Sequence, residues 1–120
     1  MSLDITLYRS RFISYDKGKT YKEDDEMVYN GNITHNLGKM AGEAGIYQAL
    51  WRPEEISATQ AKHIIGIIDN GLNDMVNRPE AYKKFNASNG WGMYKHFVPF
   101  IKEYLEALKE YPEAFINVSR

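Results

Sequence analysis

Cysteine is absent from the sequence, and its absence excludes disulfide bonds, thiolate metal sites and cysteine nucleophiles. No apolar run approaches the roughly 18 residues that a membrane-spanning helix requires. The first residues, Met1 to Thr6, lack the basic start and the apolar stretch of a signal peptide. These absences predict a cytoplasmic protein without a membrane-spanning segment.

An excess of charge of either sign is also missing, because 15 Lys and Arg residues stand against 16 Asp and Glu residues, for a net charge of −1. Such a balance leaves no electrostatic footprint for duplex nucleic acid or for an anionic membrane surface. What is present is an ordinary globular composition, with 43% hydrophobic residues in a chain of 120. That length and that apolar content predict one domain, residues 1–120, with a hydrophobic core of its own.

Alternating apolar and polar residues predict β-strands near both ends of the chain. Residues 3–7 alternate in this way, and a second strand candidate lies at 27–29. The dipeptide Asn30-Gly31 favours a tight turn, so the second strand is expected to end or bulge there. We therefore predict a β-hairpin over residues 2–34 with a charged connection. The segment 114–118 also alternates, which predicts a C-terminal strand beside the N-terminal one.

Between the strands, apolar residues recur with the helical period of 3.6. The pattern predicts helical segments over 34–51, 57–77, 80–85 and 93–108. A capping box that starts at Ser57 opens the second of them. The element order ββααα(α)β predicts an α+β fold, in which three to four helices pack on one face of a small, mostly antiparallel sheet.

Three glycines, Gly38, Gly42 and Gly45, lie at spacings of four and three in the first helical segment. They match neither the dinucleotide-binding pattern nor the phosphate-loop pattern. Because a glycine face lets another backbone approach, we interpret the three residues as a close helix-packing surface. The same face would also let a flat ligand approach the backbone.

Four stretches carry a family likeness: residues 32–37 (NITHNL), 47–54 (YQALWRPE), 89–100 (NGWGMYKHFVPF) and 118–120 (VSR). Over residues 27–120 the chain resembles a family of small proteins that are encoded largely by phages and prophages and carry no assigned function. The resemblance implies a phage accessory protein that acts on a host component. It implies no catalytic or binding residue.

The histidines, His35, His63 and His96, lack a second histidine or a carboxylate at a metal-binding spacing. We therefore expect no metal and no cofactor. His35 and Glu43 are eight residues apart, or about two helical turns, and together with His96 they would form a hydrolytic site. No nucleophile motif supports that alternative, so surface or capping roles are the favoured interpretation.

Each of the two tryptophans lies beside a predicted turn. Trp and Arg side chains dominate binding hot spots, and a tryptophan ring stacks on a base or on another ring. An alternative interpretation is that both tryptophans cover a small core. The candidate binding residues are Trp51, Arg52, Asn89, Trp91, His96 and His35.

We expect a binding protein rather than an enzyme. The first hypothesis is a phage accessory protein that binds a host protein. The second is a binder of a small, nucleotide-like molecule through Trp51, Arg52, Trp91 and His96, and the third is the hydrolase described above. An unpaired strand edge in the sheet would also allow a homodimer.

Overall fold

A three-stranded antiparallel sheet packed against helices forms the protein, as seen in a computed structural model that describes residues 2–14, 16–18 and 21–120. The strands are β1 (Ser2–Ile13), β2 (Lys22–Thr34) and β3 (Phe115–Ser119). The α-helices are α1 (Gly38–Glu43), α2 (Tyr47–Trp51), α3 (Ile65–Asn77), α4 (Pro79–Lys83) and α5 (Tyr94–Glu110). Short 3₁₀ turns lie at His35–Leu37, Pro53–Ile56 and Ala61–His63. This is an α+β fold with the predicted element order ββααα(α)β.

The strand order β2-β1-β3 places the N-terminal strand in the middle of the sheet. Residues 115–119 of β3 pair in the antiparallel sense with residues 4–8 of β1. The prediction that the C-terminal segment lies beside the N-terminal strand is therefore confirmed. The apolar stripe of β1, Leu3, Ile5 and Leu7, is fully buried in the core that the sheet shares with the helices.

Strand β2 continues through the dipeptide Asn30-Gly31, where the sequence suggested an end or a bulge. The bulge lies earlier, because the register shifts between Leu7 and Tyr8 of β1 and leaves Val28 as the extra residue on β2. Gly31 has a packing role instead, since a Cβ there would lie 2.8 Å from Cε2 of Phe100. The missing side chain lets α5 lie close to β2, near the strand end that carries the candidate site.

The distal half of the hairpin extends beyond β3. Because β3 covers only residues 4–8 of β1, residues 9–13 pair with β2 alone. The molecule measures 59 × 27 × 24 Å and has a radius of gyration of 16.4 Å, whereas a compact domain of this length would have about 14 Å. The charged residues expected in the connection lie in this ribbon, where Nε of Arg9 contacts Oε2 of Glu26 at 2.8 Å.

Both outer edges of the sheet are partly protected against pairing with another chain. The β2 edge carries the acidic run 23–26 and the bulge, two features that oppose edge-to-edge pairing. On the β3 edge, the Ile116 N–H donates to the Thr59 carbonyl at 3.0 Å, next to a bridge with Gln60. A homodimer through a sheet edge stays a prediction, and these features argue against it.

The helix predicted over 34–51 consists of three shorter elements. At the end of α1 the Ile46 N–H donates to the Ala41 carbonyl (2.9 Å), and the Gly45 N–H donates to the Gly42 carbonyl (3.1 Å). This pair of bonds, with Gly45 at φ +74°, is a Schellman helix end. A Cβ on Gly42 would meet nothing within 4 Å, so the interpretation of the glycines as a close-packing face is wrong.

The capping box predicted at Ser57 is also wrong. Ser57 has a left-handed backbone, with φ +56°, and ends the preceding 3₁₀ turn. The capping role belongs to His63, whose Nδ1 accepts the backbone N–H groups of Thr59 and Gln60, each at 3.1 Å. His63 therefore caps the start of this helical segment, in place of the predicted cap, Ser57. A capping role agrees with the interpretation that the sequence favoured for the histidines.

The later helices follow the sequence pattern more closely. A short helix lies where the segment 80–85 was predicted, but it begins one residue earlier, at Pro79, and ends at Lys83. The last helix, predicted over 93–108, runs without a break through Pro99. Its apolar face, which includes Phe97, Ile101 and Tyr104, is buried. This long, well-packed helix gives the segment between α4 and α5 a fixed point of attachment.

Candidate functional site

Trp91 exposes 70% of its surface, although tryptophan side chains are usually largely buried. It lies between α4 and α5 in a segment that we name the Trp91 loop (residues 86–93). The exposure is not a sign of a loose backbone, because the loop is tied to the rest of the molecule at several points.

The hydrogen bonds of the Trp91 loop hold its backbone and leave the ring in solvent. The Trp91 N–H donates to Oδ1 of Asn89 (3.0 Å), and the Trp91 carbonyl accepts a bond from Nδ2 of Asn36 (2.7 Å). Gly92 has φ +116°, and a Cβ there would lie 2.9 Å from Cβ of Asn36. Both the conformation and the close approach require glycine.

A cleft of about 350 Å³ opens between the Trp91 loop, the end of β2 and the start of α5. We name it the Trp91 cleft. Its lining is largely apolar, with a few polar groups, and comprises Asn32, Ile33, Thr34, Leu37, Gly90, Trp91, Gly92, Met93, His96 and Phe100. A mostly apolar cleft with a few convergent polar groups is the usual form of a binding site.

A second cleft, of about 440 Å³, lies along the other part of the same loop. We name it the Lys39 cleft. Its lining is more polar and comprises His35, Asn36, Lys39, Phe85, Ala87, Ser88 and Asn89. The two clefts are neighbours, because Asn36 lines the Lys39 cleft and bonds to the backbone of Trp91.

Four of the six predicted binding residues therefore lie around one loop. Trp91 and His96 line the Trp91 cleft, and His35 and Asn89 line the Lys39 cleft. The fold brings them together through the approach of α5 to β2. Asn89 has a structural role as well, since it caps the Trp91 backbone.

Trp51 is part of the core, with 2% of its surface exposed. Its ring stacks on Tyr47, with 5.3 Å between centroids, and stands edge-on to His35 at 6.2 Å. Its carbonyl accepts a bond from Nη1 of Arg120 (2.9 Å). For this tryptophan the interpretation as a core residue is correct, and we remove it from the binding surface.

Arg52 lines neither of the two clefts. Its guanidinium lies 3.7 Å from Oε2 of Glu55, and the Arg52 side chain keeps 42% of its surface exposed in this pair. The hydrogen bond with Tyr47, and to a lesser degree the charge of Glu55, raise the pKa of Arg52 above its usual range. We therefore also move Arg52 out of the candidate surface.

The residues of the hydrolase hypothesis have different surroundings. His35 lines the Lys39 cleft, His96 lines the Trp91 cleft, and Glu43 lines neither. Among the residues that the structure describes, no group of three or more His, Asp or Glu side chains could hold a metal ion. This arrangement gives no support to a histidine–carboxylate catalytic pair.

Two buried polar atoms have no hydrogen-bond partner within the described ranges, Nε2 of His35 and Oη of Tyr104. Burial strongly raises the pKa of the Tyr104 phenol, so the group stays neutral. His35 joins two regions, since its ring contacts the core at Trp51 and also lines the Lys39 cleft.

Sequence reasoning missed Asn36, Lys39 and Phe100. Asn36 lies in a predicted helix start, and its bond to a carbonyl 55 residues away has no local signal. Phe100 falls outside the main apolar stripe of the last helix, so the helical period gave it no role. Only the packing of α5 at Gly31 places it in the cleft.

None of the helices in the described part of the chain combines the length and the apolar character needed to cross a membrane. Comparisons with protein-family models, with curated proteins and with solved structures found no match. The functional argument therefore depends on the geometry and chemistry of the site itself.

Proposed function

We propose that this protein binds a partner protein, with an apolar side chain of the partner packed against Trp91 and seated in the Trp91 cleft. One observation carries the proposal: a tryptophan 70% exposed on a loop whose backbone is fixed by hydrogen bonds on both sides of that residue.

The energetics favour a binding role over a stabilising one. Covering an exposed tryptophan ring removes on the order of 150 Å² of apolar surface from water, which is worth about 4 kcal/mol. The folded protein alone does not gain this free energy, whereas a complex would. Because the loop backbone is already ordered, binding would lose little further conformational entropy. A rigid, exposed aromatic residue beside an apolar cleft has the properties of a hot spot.

The proposal includes the phage accessory role and the cytoplasmic location expected from the sequence. A protein partner is favoured over a nucleotide-like ligand because Trp51 of the proposed ligand set is buried in the core and Arg52 lines neither cleft. A host protein is therefore the partner to look for, and a bacterial lysate is the place to search.

The test is capture from a bacterial lysate on four immobilised forms of the protein: wild type, Trp91→Ala, Arg52→Ala and Lys102→Ala. Bound proteins are quantified by mass spectrometry, and each variant is first checked for an unchanged melting temperature. We expect a partner that the wild type, Arg52→Ala and Lys102→Ala retain equally and that Trp91→Ala loses. Equal capture by all four forms would contradict the proposal.

A further inference from the structure

The Trp91 loop separates two clefts of different chemistry. The Trp91 cleft is lined mostly by apolar side chains, whereas Lys39, Ser88 and Asn89 supply polar groups to the Lys39 cleft. Neither lining includes an aspartate or a glutamate. The clefts are joined across the loop by the bond from Asn36 to the Trp91 carbonyl (2.7 Å). A ligand that crosses the loop would meet an apolar site and then a cationic one.

Lys39 gives the Lys39 cleft a positive charge. Lys39 is exposed, and within the described residues no salt bridge joins it to a carboxylate. Glu43, one turn further along α1, lines neither cleft.

From this complementarity we propose that the partner presents a short acidic–apolar peptide segment. One bulky apolar side chain of the segment occupies the Trp91 cleft, and a carboxylate a few residues away pairs with Lys39. The inference rests on the proposed function, because it takes the Trp91 cleft as the anchor site. It adds the chemistry by which the partner is recognised.

A carboxylate fits this cleft better than a phosphate does. The lining contains a single lysine, and an ammonium group acts as a point charge that pairs well with one carboxylate. Phosphate sites usually combine several cationic groups or a row of backbone N–H donors. The nearby apolar cleft also suits an aliphatic or aromatic side chain of a peptide. A nucleotide is therefore the competing outcome that the experiment must detect.

The experiment selects binders from a random displayed-peptide library on the immobilised wild-type protein. Enriched peptides are synthesised, and their Kd values are measured by fluorescence polarisation on wild type, Trp91→Ala, Lys39→Glu, Lys39→Gln and the control Lys102→Glu. We expect enriched peptides that combine a bulky apolar residue with an Asp or Glu. Lys39→Glu should weaken their binding about tenfold or more, and Lys102→Glu should leave it unchanged.

An acid-to-amide change in the peptide supplies the matched control. It should weaken binding to the wild type but have little effect on binding to Lys39→Gln, because the two changes remove the same pair. Peptides that depend on Trp91 but show neither acidic enrichment nor a Lys39 effect would overturn this inference and leave the proposed function standing. Failure to enrich any Trp91-dependent peptide would overturn both.

Adenosine monophosphate and inorganic phosphate are included as competitors. We expect neither to displace a bound peptide at millimolar concentration. Displacement by the nucleotide but not by phosphate would overturn the inference in favour of a ring-and-phosphate ligand. Displacement by both at similar concentration would show that the Lys39 cleft prefers phosphate over carboxylate, and would likewise overturn it.

Discussion

The two tryptophans have similar sequence settings and opposite structural ones. Trp51 precedes Arg52-Pro53, Trp91 lies between two glycines, and both lie beside breaks in helical structure. Yet Trp51 exposes 2% of its surface and Trp91 exposes 70%. Around Trp51, aromatic rings contact the side chain, whereas around Trp91 the hydrogen bonds hold only the backbone.

This difference indicates that Trp51 stabilises the fold, whereas the fold holds Trp91 in solvent, where a partner can contact it. Burial of a large ring contributes to the free energy of folding, so Trp51 belongs to the core. A ring held out by a fixed backbone contributes little to folding and retains its apolar surface for a partner. The experiments below are ordered by the size of the effect that this comparison predicts.

The largest effect is expected from removal of residues 114–120. This deletion removes β3 from β1 and also the bond from Arg120 to the Trp51 carbonyl. Because the core loses one side of its sheet, the truncated chain should show no cooperative thermal unfolding by circular dichroism. A truncated chain that kept the full melting temperature would contradict the claim that β3 and Arg120 stabilise the core around β1 and Trp51.

Substitution of each tryptophan by alanine compares the two regions directly. Trp51→Ala leaves a cavity in the core and should lower the free energy of unfolding by about 3–5 kcal/mol. Trp91→Ala removes an exposed side chain and should change it by about 0.5 kcal/mol or less. Urea denaturation followed by far-ultraviolet circular dichroism measures both values. Similar losses in the free energy of unfolding for the two variants would contradict the claim that only Trp51 stabilises the fold.

The glycine that shapes the Trp91 loop gives an intermediate effect. Gly92→Ala should cost about 1–3 kcal/mol, because alanine tolerates φ +116° poorly and its Cβ would lie 2.9 Å from Cβ of Asn36. The matched control is Gly42→Ala in α1, where a Cβ meets nothing within 4 Å and the protein should gain about 0.4–1 kcal/mol. Opposite signs in urea denaturation would confirm that the loop backbone is held in place.

The smallest effect concerns a polar contact between α3 and α4. Hydrogen bonds from Arg78 and then Tyr82 lower the pKa of Asp74 from 3.8 to about 2. Because the pKa of Asp74 is lower in the folded state than in the unfolded state, the ionised carboxylate stabilises the folded state when the pH is above 3.8. This contribution is lost as the pH falls toward 2. Asp74→Asn should therefore be less stable than the wild type at pH 7, and the difference in melting temperature should shrink between about pH 4 and pH 2. A difference independent of pH would show that the carboxylate charge is not involved.

Local patterns predicted the fold because its strands and long helices follow simple periods. The stripe of Leu3, Ile5 and Leu7 and its pairing with the C-terminal segment both followed from alternation. Caps and helix ends were less predictable. Gly45 and Ser57 both take left-handed conformations, and the sequence alone does not distinguish a glycine that ends a helix from one that packs against another backbone.

The candidate site was predictable only in part, because it depends on contacts between distant segments. The Asn-Gly-Trp-Gly stretch, residues 89–92, indicated the loop, but the same reasoning gave Trp51 equal weight. What decides between them is tertiary: Asn36 approaches the Trp91 backbone, whereas Tyr47 covers the Trp51 ring. No local sequence pattern predicts either of these contacts.

The central claim is that Trp91, and not Trp51, is the tryptophan that a partner covers. Fluorine NMR of the protein labelled with 5-fluorotryptophan gives one resonance for each of the two tryptophans, assigned with Trp91→Phe. We expect that saturation with a captured partner or a selected peptide shifts the Trp91 resonance and removes its solvent isotope shift, while the Trp51 resonance stays in place. An unchanged Trp91 resonance at saturation would contradict the account.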